Sequence, residues 1–187
     1  MKIKKFFVVG FLTFLLSSCG TSTETSTIST TSKYDKNQYF AITIPTTWEI
    51  LGENDFTKPK KGKVDLAARS TSEISGGFSN NIVIISDKLT TATTSKKYSI
   101  VNYTLSTGEY VDFVKVSEKN IKFSDGDESA IYIFEAKYNT NSVKRKFIQS
   151  AKVCTDRAFL MTIGIDLKIT DTSKYEDLIK SFECKKK

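Results

Sequence analysis

The sequence predicts an α+β fold in which an antiparallel sheet is flanked by helices. Segments rich in β-branched and aromatic residues alternate with turn-forming residues over most of the chain after Tyr34. Residues 139–142, Asn-Thr-Asn-Ser, form a turn between two long strand candidates, which is typical of an antiparallel hairpin. Residues 173–183 repeat apolar side chains at the spacing of an amphipathic helix. A sheet with helices packed on it buries both kinds of apolar face.

The first half of this body supplies three predicted strands and one predicted helix. The strands cover residues 39–44, 64–70 and 81–86. Pro45 ends the first strand because proline cannot donate to a sheet ladder, and the loop-forming Ser-Gly-Gly at 75–77 separates the other two. Residues 93–105 predict a helix with Thr94 as its cap. The helical face that we expect to pack on the sheet carries Tyr98, Val101 and Leu105.

The second half is predicted to continue the sheet and to end in a helix. Its strands cover residues 110–117, 121–123, 129–138, 143–153 and 158–165. In the closing helix, 173–183, Ser173 and Glu176 have the spacing of a capping box. The apolar face of this helix carries Tyr175, Leu178, Ile179 and Phe182. No internal repeat is present.

The amino terminus predicts an export signal, residues 1–18, followed by a lipidation site. Three lysines precede an apolar run of eleven residues, 6–16, which is shorter than the roughly 20 residues of a membrane-spanning helix. The run ends in Leu-Ser-Ser-Cys, which resembles a bacterial lipobox. We expect cleavage before Cys19 and acylation of its thiol with fatty acids such as palmitate; the alternative is a secretory signal with an incidental cysteine. Two or more acyl chains anchor a protein stably in a membrane.

Residues 19–33 are predicted to be a flexible tether. Ten of the twelve residues from 21 to 32 are Ser or Thr, so this segment cannot bury enough surface to offset its ordering entropy. The net charge of +7 falls to +4 once the three signal lysines are removed. This mild charge, on an exported chain, favours contact with anionic phospholipid over nucleic acid.

Lipidation of Cys19 would leave one pair of cysteines, Cys154 and Cys184. A strand of about 27 Å at 158–165 and a helix of about 17 Å running back would bring Cys184 near Cys154. The sequence therefore predicts a disulfide, with two buried free thiols as the alternative, since the redox state of the compartment decides between them. The spacing does not fit a redox CxxC motif or a zinc site.

Residues 40–48, Phe-Ala-Ile-Thr-Ile-Pro-Thr-Thr-Trp, resemble the opening of PsbP-like domains, where an aromatic-led strand ends in proline and a tryptophan follows. The later order of elements agrees with that family. The resemblance implies an α/β/α sandwich over residues 34–187. The family includes photosystem II extrinsic subunits, a nuclear transport factor that binds the small GTPase Ran, and bacterial lipoproteins of unknown role, so it implies binding or assembly. It assigns no functional residue here.

The residue inventory argues against most catalytic and metal-binding chemistry. The chain contains no histidine, which removes Ser-His-Asp and Cys-His nucleophile pairs and His-ligated zinc. Residues 125–128, Asp-Gly-Asp-Glu, lack the spacing of a calcium loop, and a turn explains them better. We expect no enzymatic activity, no cofactor and no metal site.

Three further features have a structural and a functional interpretation. The basic loop 58–63 is either a solvated loop or a contact for headgroups or an anionic polymer. Residues 144–146, Lys-Arg-Lys, on the hairpin could protect an edge strand. Trp48 is expected in the core or at its rim, with a ligand platform as the alternative.

Two function hypotheses follow. The first is a lipoprotein at the cell membrane, on the extracytoplasmic side, that binds another envelope protein or holds an assembly together, which predicts an exposed apolar patch or an open sheet face. The second is a small-ligand-binding lipoprotein, which predicts a concave apolar pocket with a few convergent polar groups.

Overall fold

The computed structural model describes residues 31–56 and 62–186, and the predicted signal segment 1–18 and Cys19 lie outside them. The described residues form two helices, α1 Ser95–Glu109 and α2 Ser173–Lys180. The strands are β1 Thr31–Tyr34, β2 Phe40–Pro45, β3 Trp48–Ile50, β4 Lys63–Ser75, β5 Phe78–Lys88, β6 Val111–Lys122, β7 Glu128–Lys137, β8 Arg145–Cys154, β9 Arg157–Ile165 and β10 Glu183–Cys184.

These strands form two antiparallel sheets. The larger has seven strands in the order β3-β4-β5-β9-β8-β7-β6, and the smaller has three in the order β1-β2-β10. The predicted antiparallel sheet with two helices is confirmed, although sheet predominates and the second sheet was not predicted. The segments predicted at 110–117 and 121–123 are parts of one strand, β6.

The two helices lie on opposite faces of the seven-stranded sheet. Alternate side chains of β7 point to opposite faces: Ile131 and Ile133 join the main core with α2 and the small sheet, whereas Phe134 packs with Tyr103 on the face that α1 covers. Phe40 stacks on Phe182 at 4.7 Å between ring centroids, which joins β2 to the end of α2. Trp48, only 8 % exposed, belongs to this core, as predicted.

The folded body begins earlier than predicted. Strand β1 contains residues 31–33, which the sequence places in the tether. Its residues pair with those of β2, from Tyr34 opposite Ile42 to Thr31 opposite Pro45. The correction has a simple physical reason. A neighbouring strand supplies backbone hydrogen bonds that local composition does not reveal.

The carboxyl-terminal helix is shorter than predicted, and its predicted capping box is wrong. The residue before the first turn is Thr172, which makes no side-chain cap; its hydroxyl donates instead to Glu176 Oε1 at 2.7 Å. The chain leaves the helix after Lys180, and Glu183 pairs with Ala41 of β2. The predicted apolar face is buried, as expected: Tyr175, Leu178, Ile179 and Phe182.

The disulfide prediction is supported. Cys154, at the end of β8, is bonded to Cys184 of β10, with 5.6 Å between the Cα atoms. This bond ties the small sheet to the large one. It closes a loop of 30 residues, which contributes about 3–4 kcal/mol on the chain-entropy model.

The basic residues of the hairpin do not protect an edge, contrary to the prediction. Strand β8 lies inside the seven-stranded sheet, between β9 and β7. Lys146 is buried and donates through Nζ to the Ile169 carbonyl. The guanidinium of Arg145 lies 4.3 Å from the ring centroid of Phe78. Long stems let both cations reach partners beyond the sheet surface.

Candidate functional site

The first candidate site is the solvent-facing side of α1. Of the three residues expected to pack on the sheet, Tyr98 is half-buried and donates to Asp87 at 2.5 Å, but the prediction is wrong for the other two. We expected Val101 and Leu105 to pack on the sheet, but they are 48 % and 53 % exposed. Ile100, on the same outward arc, is exposed as well. The buried residues of the helix are Ser95, Ser99 and Ser106. The inward side of α1 therefore carries serines and tyrosines while these aliphatic residues face outward, which differs from an ordinary surface helix.

Hydrogen bonds and aromatic packing hold α1 in this orientation. Ser99 Oγ donates to the Ala130 carbonyl at 2.8 Å. The Val153 amide donates to Ser95 Oγ at 2.7 Å, which joins the start of the helix to β8. Beside the serines, the ring of Tyr103 stacks on Tyr132 at 4.1 Å. Small serine side chains let the helix backbone approach the sheet closely while these polar groups stay paired.

We call the outward set Lys97, Ile100, Val101, Thr104 and Leu105 the α1 outer face; all five are exposed. At 100° per residue they occupy one arc of the helix. The predicted cap is confirmed, because Thr94 Oγ1 accepts from the Lys97 amide at 3.1 Å. The first turn contains no acidic residue. The helix dipole and Lys97 therefore give the amino end of this face a positive potential.

The second candidate site is a cleft between the small sheet and the β3–β4 edge of the large one. It consists of two adjoining hollows of about 420 and about 300 Å³. Tyr34, Lys36 and Ile50 line both hollows. Tyr39, Phe56 and Leu51 add apolar wall to the larger one.

Asp65 is the buried charge in the wall of the larger hollow. It sits at an irregularity of β4, where the register with β5 shifts between Val64 and Leu66. Its side chain is 4 % exposed; Oδ1 lies 3.7 Å from Lys63 Nζ, and Oδ2 has no hydrogen-bond partner. Burial, and then the charge of Asp65, raise the pKa of Tyr34. The carboxylate is thus only loosely paired.

A cluster around Glu73 joins the β4–β5 hairpin to α2. Tyr175 Oη and Asn80 Nδ2 donate to Glu73 Oε2 at 2.9 and 2.8 Å, and Lys174 pairs with Oε1. Burial would raise the pKa of Glu73, but the hydrogen bonds from Lys174, Asn80 and Tyr175 outweigh it and lower that pKa. Burial, then the Glu73 hydrogen bond, raises the pKa of Tyr175 to about 12. These shifts move both groups away from neutral pH, as in a structural ion pair.

The Asp-Gly-Asp-Glu segment forms a turn, as predicted, and the turn is tied to β8 by a buried lysine. Lys152, 1 % exposed, donates from Nζ to Asp125 and Asp127 at 2.8 Å each. The same Nζ lies 4.6 Å from the Phe123 ring centroid. Within residues 31–56 and 62–186, no group of three His, Cys, Asp or Glu could hold a metal ion.

The structure describes only some of the remaining residues that the sequence analysis singled out. Cys19 and residues 57–61 of the basic loop lie outside the described part of the chain. In that described part, no helix is long and apolar enough to cross a membrane. Sequence reasoning missed Asp65 and the outward orientation of Val101 and Leu105, because a strand irregularity and a serine-lined contact leave no local signal.

Comparisons with known proteins address the fold. No protein-family model and no curated protein sequence matches this chain. The solution structure of cyanobacterial PsbP from Synechocystis aligns over 91 % of this chain and 99 % of its own, with a TM-score of 0.58 and 16 % identity. The fold is therefore PsbP-like. A protein of unknown function from Pseudomonas aeruginosa aligns over 80 % of this chain and 91 % of its own, with a TM-score of 0.50 and 11 % identity. At these identities the likeness concerns the fold alone.

Proposed function

We propose that this chain is a lipoprotein, anchored through Cys19 on the extracytoplasmic side of the cell membrane, that acts as a non-catalytic protein-binding module. The α1 outer face is its docking surface. The anchor rests on the lipobox-like segment and its distance from the amino terminus. The docking surface rests on the orientation of α1.

The orientation of α1 is the observation that carries this proposal. Fully burying a Val, Leu or Ile side chain contributes about 1.5–3 kcal/mol, and the three apolar residues of the α1 outer face realise only part of it. Val101 and Leu105 are each about half exposed. A partner that covers them would recover the remainder. An apolar patch on a helix that packs through serines is typical of a protein-interaction site.

The experiment is site-specific photo-crosslinking in cells of the native host. A photo-reactive phenylalanine analogue replaces Leu105 in one variant and Ile74, an exposed apolar residue of the β4–β5 hairpin, in the matched control. We expect one protein to be crosslinked from position 105 and not from position 74. A Cys19→Ala form, which cannot be lipidated, should lose this adduct.

Each half of the proposal can fail separately. Equal labelling from positions 105 and 74 would remove the docking surface and leave the anchor intact. An amino terminus that retains Met1 and carries no added lipid mass, on protein purified from the native host, would remove the anchor. Small-ligand binding, the second candidate function, is favoured by the cleft beside Asp65.

A further inference from the structure

The cleft contains a buried acceptor without a donor. Of the described residues, Asp65 and Arg157 each have one buried side-chain atom without a hydrogen-bond partner, Oδ2 and Nε respectively. Only Asp65 lines one of the two hollows. A buried carboxylate oxygen without a donor destabilises the folded state, so an unliganded fold gains nothing from this arrangement.

The backbone of β4 builds this arrangement. The register shift around Asp65 inserts one extra residue opposite β5. Such a bulge re-aims a side chain out of the regular alternation of the strand, and bulges recur beside binding sites. Leu66 and Val64, on either side, continue the ladder with Ile84 and Ile85. The sheet is therefore intact on both sides of the displaced carboxylate.

We propose that this cleft binds a small organic cation, a primary ammonium or guanidinium on a short aliphatic body, with the Asp65 carboxylate as its counter-ion. A carboxylate offers only acceptors, so its missing partner must be an N–H or O–H donor or a metal ion. A metal ion does not fit, because the residues around Asp65 in the described chain supply no second and third acidic, thiol or imidazole ligand. An N–H cation needs one carboxylate only.

The other walls of the cleft offer apolar contacts to the aliphatic body of the ligand and contribute little net charge. Ile50, Leu51 and Phe56 offer apolar contact in the larger hollow. Among the described residues, the charged ones that line the larger hollow are Lys36, Lys63, Glu53 and Asp65, and the formal charges of these four cancel. Recognition would therefore depend on the direct contact with Asp65 rather than on the overall field. The amine of Lys63 is exposed and lies 3.7 Å from Oδ1, beyond hydrogen-bond distance, so Asp65 Oδ2 still lacks a close donor.

The test is a titration of the purified chain with agmatine, which carries both an ammonium and a guanidinium, followed by calorimetry and by amide NMR. 1,4-Butanediol is the neutral control. We expect saturable binding of agmatine, with shifted amide signals confined to residues 34–39, 50–56 and 62–67. Asp65→Asn should weaken this binding by about tenfold or more, since it removes a charge-assisted hydrogen bond. Glu128→Gln, which changes an exposed carboxylate of β7 outside the cleft, should leave the affinity within about twofold.

Stability measurements distinguish a loss of binding from a loss of folding. Because Asp65→Asn removes a buried charge that is only loosely paired, the variant should remain folded and be at least as stable as the parent chain. Retained folding with lost agmatine binding supports the proposal. Equal binding by Asp65→Asn, equal binding of butanediol, or no saturable binding by the folded parent chain would each overturn it. None of these outcomes bears on the α1 outer face, so this inference and the proposed function fail separately.

Discussion

Replacing Val101 and Leu105 together by Ala tests the reversed orientation of α1. Both side chains are about half exposed, so each realises about half of the roughly 1.5–3 kcal/mol that full burial contributes. Alanine also has the best helix propensity, which offsets a few tenths of a kcal/mol per site. We therefore expect each substitution to lower the free energy of unfolding by about 0.5–1 kcal/mol and the pair by less than about 2 kcal/mol.

If α1 had the opposite orientation, the expected loss in the free energy of unfolding would be much larger. If the two residues packed on the sheet, Leu→Ala alone would cost about 2–5 kcal/mol and the pair substantially more. Urea unfolding followed by circular dichroism measures the difference from the transition midpoint. A loss above about 4 kcal/mol with an unchanged m-value would refute the orientation that the docking surface requires. Ser99→Leu is the matched control on the buried side, where overpacking should cost about 1–3 kcal/mol.

Three further predictions concern the disulfide and the two charged clusters. Replacing both disulfide cysteines by Ser should lower the free energy of unfolding by about 3–4 kcal/mol, measured by urea unfolding. Because the folded-state pKa of Glu73 is lowered, its contribution is present above its ordinary pKa of about 4.3 and is lost as pH falls through the lowered value. Glu73→Gln should therefore lose less stability than the parent chain between about pH 6 and pH 3. Lys152→Met should change stability by less than about 1 kcal/mol, whereas Asp125→Asn with Asp127→Asn should cost about 3–5 kcal/mol.

The charged-cluster predictions have distinct failures. Parallel pH profiles for the parent chain and Glu73→Gln would show that the ion pair with Lys174 does not contribute to stability. For the turn, the cation is buried and the two carboxylates are 49 % and 36 % exposed, so only loss of the carboxylates leaves an uncompensated buried charge. Equal costs for the two sets of substitutions would contradict that reasoning. For the disulfide, the double-Ser variant should be indifferent to reductant, and a parent chain equally indifferent would mean that the bond is absent.

The elements that sequence predicted well are those whose signal is local. The hairpin of β7 and β8 has strong β-forming content on both sides of a polar turn, and the apolar face of α2 is both periodic and buried. Strands β1 and β10 were not predicted, because each is short and forms by pairing with β2. For β10, this partner lies far earlier in the chain. Buried Lys146 and Lys152 were not predicted because their partners, the Ile169 carbonyl and the turn carboxylates, are set by tertiary structure.

Helix α1 shows why the candidate site was harder to predict than the fold. Periodicity identifies which residues share a face but not which face the sheet receives, and the usual assumption places apolar residues inward. Here the sheet presents Tyr132 and the Ala130 carbonyl, which are matched by Tyr103 and the Ser99 hydroxyl. The polar face of the helix is thus paired, and its apolar face is left for solvent or a partner. Functional surfaces are places where a helix is expected to depart from the usual apolar-inward pattern while other contacts in the fold compensate for the departure.

The positions of the two candidate sites suit simultaneous use. The α1 outer face lies over β7 and β8, whereas the cleft lies at the β3–β4 edge beside the small sheet that covers the other face. Strand β1 starts at Thr31 and lines the cleft with Ser32 and Tyr34. Under the proposed anchoring, eleven residues lie between Cys19 and this strand, and a chain of that length spans at most about 40 Å. Under that anchoring, the cleft would lie nearer the membrane than the α1 outer face, which is on the opposite side of the large sheet and would stay accessible to another protein.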